Sequence, residues 1–294
     1  MQVYFYFFAE FVLYFKEFVL PTSLLDAFSW LDWFAISCFF VCWAWYYYYC
    51  LLRLRTRRCL AATMHGYRYD WMKRMIAREV RIADATIMTH LERNGAFFAS
   101  SSLLILAALF SLLGATEKAL AVMTELPFAM LAPTELGIEI KLLLLIGIFI
   151  YAFFTFSWSM RQYNFCAILI ASAPLPNEKS VSTKARNAFA VQAANVIDLA
   201  ANQFNYGLRA YYFGLALLGW FLHPLVLIFS TFAVVAVLYR REFHSKTLKA
   251  LIAGRDLKVD FKGILQGLEP EAVNTATTNK LSPAKDITGD DKKL

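Results

Sequence analysis

The residues best placed to do chemistry form a polar row, Asp198, Asn202 and Arg209, accompanied by Asn195 and Asn205. Asp198 and Asn202 are four apart and share a face of a helix, and Arg209 follows nearly two turns later. If that face enters a membrane bundle it lines an ion or substrate route, as intramembrane ionisable groups commonly do. The plainer alternative is a solvated helix face.

Other reactive residue types assemble less well. The histidines are His65, His90, His223 and His244. Haem held between helices needs two histidines at one depth on facing helices, and none of these lies clearly inside an apolar span. His223 precedes Pro224 and fits a helix end. The cysteines are Cys38, Cys42, Cys50, Cys59 and Cys166, an odd number without a C-x-x-C pair. They read as small apolar packing residues rather than a disulfide framework or a zinc site. The chain has no G-x-S-x-G, H-E-x-x-H, Walker A or Gly-rich dinucleotide loop. No catalytic residue, metal or cofactor is therefore assigned.

The elements that carry these residues are membrane helices. Of 294 residues, 59% are hydrophobic and only 17% charged, and the mean hydropathy is +0.49. An average soluble domain is about 25% charged. The apolar runs are continuous, not alternating, which excludes a β-barrel. The expected fold is all-α, a polytopic transmembrane bundle of about five segments near residues 29–52, 96–114, 140–158, 204–220 and 224–240. The formal charge is +7. It gathers in loops beside apolar runs, so topology and anionic lipid explain it better than nucleic acid.

Residues 1–23 form an aromatic N-terminal extension. It is either an interfacial amphipathic helix or a product of an upstream start. The first span carries tryptophans and tyrosines at both ends and stops at Arg53, Arg55, Arg57 and Arg58. The periodicity then predicts a basic amphipathic helix over 67–93. Its stripe is Met72, Ile76, Val80, Ala83, Ile87 and Leu91, with Lys73, Arg74, Arg78 and Arg81 off the stripe. Such a helix lies on a membrane surface or packs on the other helix ends. In the second span, Ser100, Ser101 and Ser102 suit close helix packing. The loop 115–139 is poor in Lys and Arg, which marks the non-cytoplasmic side.

Residues 210–239 lack any charge. That run is long for one span and short for two. Both of its flanks are basic, so an even number of crossings is expected, with a hairpin turn at 219–224. Ala210 and Gly214 form a small-x-x-x-small pair for close helix contact. Arg240 and Arg241 then end the second arm in the cytoplasm. Residues 24–265 read as one membrane domain and residues 266–294 as a disordered polar tail.

With the spans laid out, the segments FFASSSLLILAALFSLLG, FNYGLRAYYFGLALLGWFLHP and VAVLYRREFHSKTLKAL resemble those of the integral-membrane family catalogued as domain of unknown function 599. The RIADATI helix and the first span agree more weakly. The resemblance covers about residues 24–251. It implies a polytopic membrane protein and supplies no catalytic residues.

The leading functional expectation is a non-enzymatic protein of the bacterial inner membrane that acts through partner helices or lipids. The first span would begin outside and the C-terminal tail would be cytoplasmic. Arg53, Arg55, Arg57, Arg58, Lys73, Arg74, Arg78, Arg81, Arg240 and Arg241 are its candidate contacts with anionic lipid or partners. Other membrane helices are expected partners, and a homo-oligomer is compatible with the aromatic surfaces. The alternatives are a small transporter or channel with Asp198, Asn202 and Arg209 along its route, and a lipid-modifying enzyme.

Overall fold

The computed structural model describes residues 27–53, 59–117 and 134–255. The extension 1–23, the tail 266–294 and the arginines Arg55, Arg57 and Arg58 lie outside those residues. Residues through His244 form one compact unit and Ser245–Leu294 a second. Among the described residues six α-helices build the first: α1 (Trp30–Arg53), α2 (Leu60–Ile76), α3 (Ile82–Leu113), α4 (Glu135–Ser172), α5 (Thr183–Leu218) and α6 (Pro224–Phe243). A 3-10 turn, Gly219–Phe221, joins α5 to α6. In the second unit residues 246–255 are helical, and the Ser245 hydroxyl accepts from the Leu248 amide (3.1 Å).

Among the described residues four helices are long and apolar enough to cross a membrane: α1, α3, α4 and the run Pro224–Arg255 that contains α6. Large apolar side chains cover their outside, among them Leu104 (75% exposed) and Phe229 (72% exposed). A surface of that kind needs lipid around it. The protein is an all-α bundle of a membrane. The fifth segment, expected at 204–220, falls in the second half of α5 and is not among these four. The whole of α5 is too polar to count as a crossing by itself, because its first half carries the asparagine-rich row.

The expected turn at 219–224 is there. His223 caps α6, its Nδ1 accepting from the Leu225 amide (3.1 Å), and Pro224 occupies the first helical turn. Ser230 Oγ donates to the Ala216 carbonyl (2.9 Å) across the two arms, so α5 and α6 run antiparallel.

The spine is the seam between α4 and α5. Small buried residues recur every seven positions on both helices: Ala152, Ser159, Cys166 and Ala173 on one, Ala193, Ala200, Gly207 and Gly214 on the other. A seven-residue repeat keeps one face of each helix turned to its partner. Small side chains let the backbones approach, and Ser159 Oγ bonds the Ala200 carbonyl (2.7 Å). Gly207 is the tightest point, since a Cβ there would lie 2.6 Å from the buried Phe156 ring.

The single amphipathic helix expected over 67–93 is in fact two. The chain breaks after Ile76 and restarts at Ile82. No Gly or Pro marks the break. Beside it Arg81 turns its guanidinium onto the end of α4, where it donates to the carbonyls of Ile170 (3.1 Å), Ala173 (2.6 Å) and Pro174 (2.7 Å). Cations at a helix C-terminus are favourable. The apolar stripe slips accordingly. Met72 and Ile76 are buried, but Val80 is 70% exposed and Ile87 44% exposed, while Asp84 and Met88 turn inward.

Three helices also outrun the spans expected of them. Helices α3, α4 and α5 project beyond the apolar segments, and α2 packs on the projection. The result is a second core, here called the head: Met72, Met75, Met88, Tyr163, Cys166, Ala190, Ala193, Ala194 and Ile197. The first core, in the membrane half, combines leucines and isoleucines with the rings Phe39, Tyr46, Phe149, Phe156, Phe213 and Trp220.

Candidate functional site

The polar row on α5 divides between these two cores. Asp198 lies in the head, 9% exposed. It accepts from Arg68 (2.7 Å) and pairs with His65 Nδ1, both on α2. The carboxylate thus holds the ring of His65, whose side chain is 56% exposed, by its Nδ1. The simple expectation of a solvated face fails for Asp198, because α2 covers it. Asn202 is half-buried one turn further on.

Arg209 lies beyond, in the membrane half. Its guanidinium stacks on Tyr46 of α1 (5.2 Å to the ring centroid) and on Tyr206 (5.7 Å). The sequence row therefore does not form one site. Asp198 is tied to α2, and Arg209 is held between tyrosine rings about 16 Å away along the helix axis.

A pattern extends around Arg209. At the end of the membrane half where α1 and α6 finish, Arg53 stacks on Tyr49 (5.2 Å) and Arg241 on Tyr212 (5.7 Å). Arg241 also donates to the Tyr212 hydroxyl (2.5 Å). Arg161 covers Phe165 at 6.0 Å. Among the described residues none of these arginines has a carboxylate partner; the ion pairs are His65–Asp198, Arg68–Asp198 and Arg78–Asp84, all in the head. This basic end carries cations on aromatic faces.

The other expected residues are placed as follows. Lys73 and Arg74 are exposed on α2. Arg78 bonds Asp84, a carboxylate that also accepts from Trp71 Nε1 (2.6 Å), so Arg78 and Arg81 are both engaged within the fold. Ser102 is buried, donates to the Phe98 carbonyl (2.8 Å) and meets the Tyr211 hydroxyl (2.9 Å). Ser101 bonds its own helix and Ser100 is exposed. Ala210 and Gly214 are buried, Gly214 against Ile148 and Phe149 of α4. Arg240 is exposed at the end of α6.

Two clusters escaped the sequence reading. One is the α2 pair His65 and Arg68 on Asp198, separated from it by 133 and 130 residues. The other closes the opposite end of the membrane half. Trp220 Nε1 donates to the buried Asp32 (2.7 Å), and Lys141 donates to the Trp220 carbonyl (3.1 Å) while lying over its ring. Asp32 also accepts from the amide and hydroxyl of Ser29. The one sequence signal available was a charge, Asp32 or Lys141, just inside an apolar run.

Where α1 gives way to α2, Cys59 caps α2 through its sulfur, and Glu242 of α6 accepts from the Ala61 amide (3.1 Å). Burial pushes the Cys59 thiol above its ordinary pKa, so it stays protonated at neutral pH. Among the described residues no group of three or more His, Cys, Asp or Glu is placed to hold a metal.

No match was found among curated proteins or among solved structures. A family match, described as "Protein of unknown function, DUF599", runs over residues 34–247. It takes in both cores, the α4–α5 seam, the α5–α6 turn and every stacked arginine of the basic end, and the chain belongs to that family.

Proposed function

We propose that this protein is a non-enzymatic scaffold or assembly factor of the bacterial inner membrane, acting through anionic lipid and through the helices of other membrane proteins. The supporting observation is the basic end, where arginines rest on aromatic faces and keep their N–H donors free of protein carboxylates. The positive-inside rule then puts the basic end and the head in the cytoplasm and the Asp32–Trp220 end outside. The second unit would also be cytoplasmic.

The test is purification of the full chain in mild detergent, with lipid and protein cargo quantified against it. Anionic phospholipid or a membrane protein retained in fixed ratio is expected. A monomer carrying neither in fixed ratio overturns the proposal. A reporter fused after Arg241 checks the orientation, and an outward-facing signal reverses it.

A small transporter or channel is the second reading. It has Asp198, Asn202 and Arg209 along its route, although the fold separates Asp198 under α2 from Arg209 among the tyrosine rings. It predicts solute flux in proteoliposomes that falls in Asp198→Asn; flux indifferent to that change removes Asp198 from any route.

A further inference from the structure

Arg209 forms no direct ion pair among the described residues; the carboxylate in its neighbourhood is Glu242, whose charge acts, as that of Arg209 does, on Tyr46 and Cys50. Tyr46, the ring it covers, is 1% exposed. Tyr46 stands seven residues before the end of α1 at Arg53, about 10 Å deeper along the helix. Among the described residues no carboxylate pairs with Arg209 and no carbonyl accepts from it. A charge at that depth is costly and marks a functional position.

Its environment compensates in one direction only. The rings of Tyr46 and Tyr206 lie against the guanidinium carbon, and none of its five N–H donors has a hydrogen-bond partner among the described residues. Those donors are not sealed in, unlike the Nε atoms of Arg81 and Arg186, which are buried and unpartnered. Tyr47 lies against Tyr206 (5.5 Å between rings) and adds a half-buried hydroxyl-bearing ring to the same surface. Helix α1 reaches α5 here through rings: Trp43 stacks on Phe213 (5.0 Å), and Phe39 meets it edge-on (5.6 Å).

We propose that Arg209, framed by Tyr46 and Tyr206, is a phosphate-binding site that takes the headgroup phosphodiester of an anionic phospholipid from the leaflet at the basic end. This rests on the reading of that end as lipid-facing. The planar fork matches two oxygens of one phosphate. A long arginine side chain snorkels toward the headgroup level from a Cα held below it. The depth decides the source of the phosphate. A free ion would have to leave water to reach this level, whereas a lipid phosphate is carried there by its own acyl chains. Arg53 and Arg241 sit nearer the helix ends and serve as ordinary interface anchors.

The test uses the full-length protein in phosphatidylcholine nanodiscs titrated with phosphatidylglycerol, with retained lipid counted by native mass spectrometry. Wild type is expected to hold one phosphatidylglycerol about tenfold more tightly than phosphatidylcholine. Arg209→Gln should abolish that preference, Arg209→Lys should keep part of it, and Lys184→Gln, at the exposed start of α5, should leave it intact. If Arg209→Gln does not fold, Tyr206→Leu tests the same site, with about a threefold loss of retention expected. Unchanged retention in the folded site variant overturns the site while leaving the general lipid reading intact. A wild type that shows no preference for the anionic lipid overturns both. Displacement of the lipid by millimolar inorganic phosphate alone shows a free-phosphate site and overturns the lipid assignment.

Discussion

The membrane half and the head are built on the same three helices and use arginine in opposite ways. In the head, Arg68 and Arg78 meet carboxylates, and Arg81 and Arg186 cap carbonyls at helix ends and loops. In the membrane half, Arg53, Arg209 and Arg241 lie on tyrosine rings. The cores differ in parallel. The head interior is methionine and alanine under a polar surface, and its association is driven by removing apolar area from water. The membrane half has aliphatic and aromatic side chains on the outside as well as the inside, so that driving force is missing there. Its helices must associate through close packing, ring contacts and a few hydrogen bonds. Stability in the two halves therefore rests on different side chains, although the α4–α5 seam runs through both.

The sharpest way to break the comparison is at the seam. Gly207→Val places branched carbon where even a Cβ falls 2.6 Å from Phe156. A loss of about 3 kcal/mol or more is expected, seen as a collapse of the thermal transition in detergent. Gly147→Ala is its control, since nothing lies within 4 Å of a Cβ there; no loss is expected.

In the head, Asp84→Ala strands the Trp71 indole N–H and leaves Arg78 unpaired. Arg78 is 47% exposed, so the ion pair itself contributes little. The loss of about 2–3 kcal/mol comes mainly from the buried indole donor. Proteolysis should then cut within 60–95 before the membrane half melts.

At the far end of the membrane half, Trp220→Phe removes the bond to Asp32 and leaves that carboxylate buried with Ser29 alone. About 1.5–3 kcal/mol is expected, visible as faster hydrogen exchange at the α5–α6 turn. The smallest effect concerns Cys59. Its thiol ionises later in the folded protein than in the unfolded chain. Its contribution is complete below the ordinary value of 9.0 and is lost as pH rises through the folded value. A pH series of melts should show a shallow alkaline decline that Cys59→Ser flattens, and an unflattened decline removes the residue from the explanation.

Much of the membrane half was legible in the chain. The first span was expected at 29–52 and is Trp30–Arg53. The turn at His223-Pro224 was marked by proline chemistry and by the length of the uncharged run. The head was much less so. Its helices continue those of the membrane half without a turn signal, so α4 looked finished at 158 and runs to Ser172. The break at 77–81 has no Gly or Pro, and the contact that accompanies it, from Arg81 to the end of α4, is long-range.

The sequence alone determined that the chain enters a membrane, because a bilayer excludes unpaired backbone and tolerates long apolar helices. It also determined roughly where those helices start and stop, because charge and proline are local signals. Only the tertiary structure decided which arginine meets a carboxylate and which meets a ring. That outcome depends on residues more than 100 positions apart sharing one depth in the bundle, as Arg68 and Asp198 do in the head and Tyr46 and Arg209 in the membrane half.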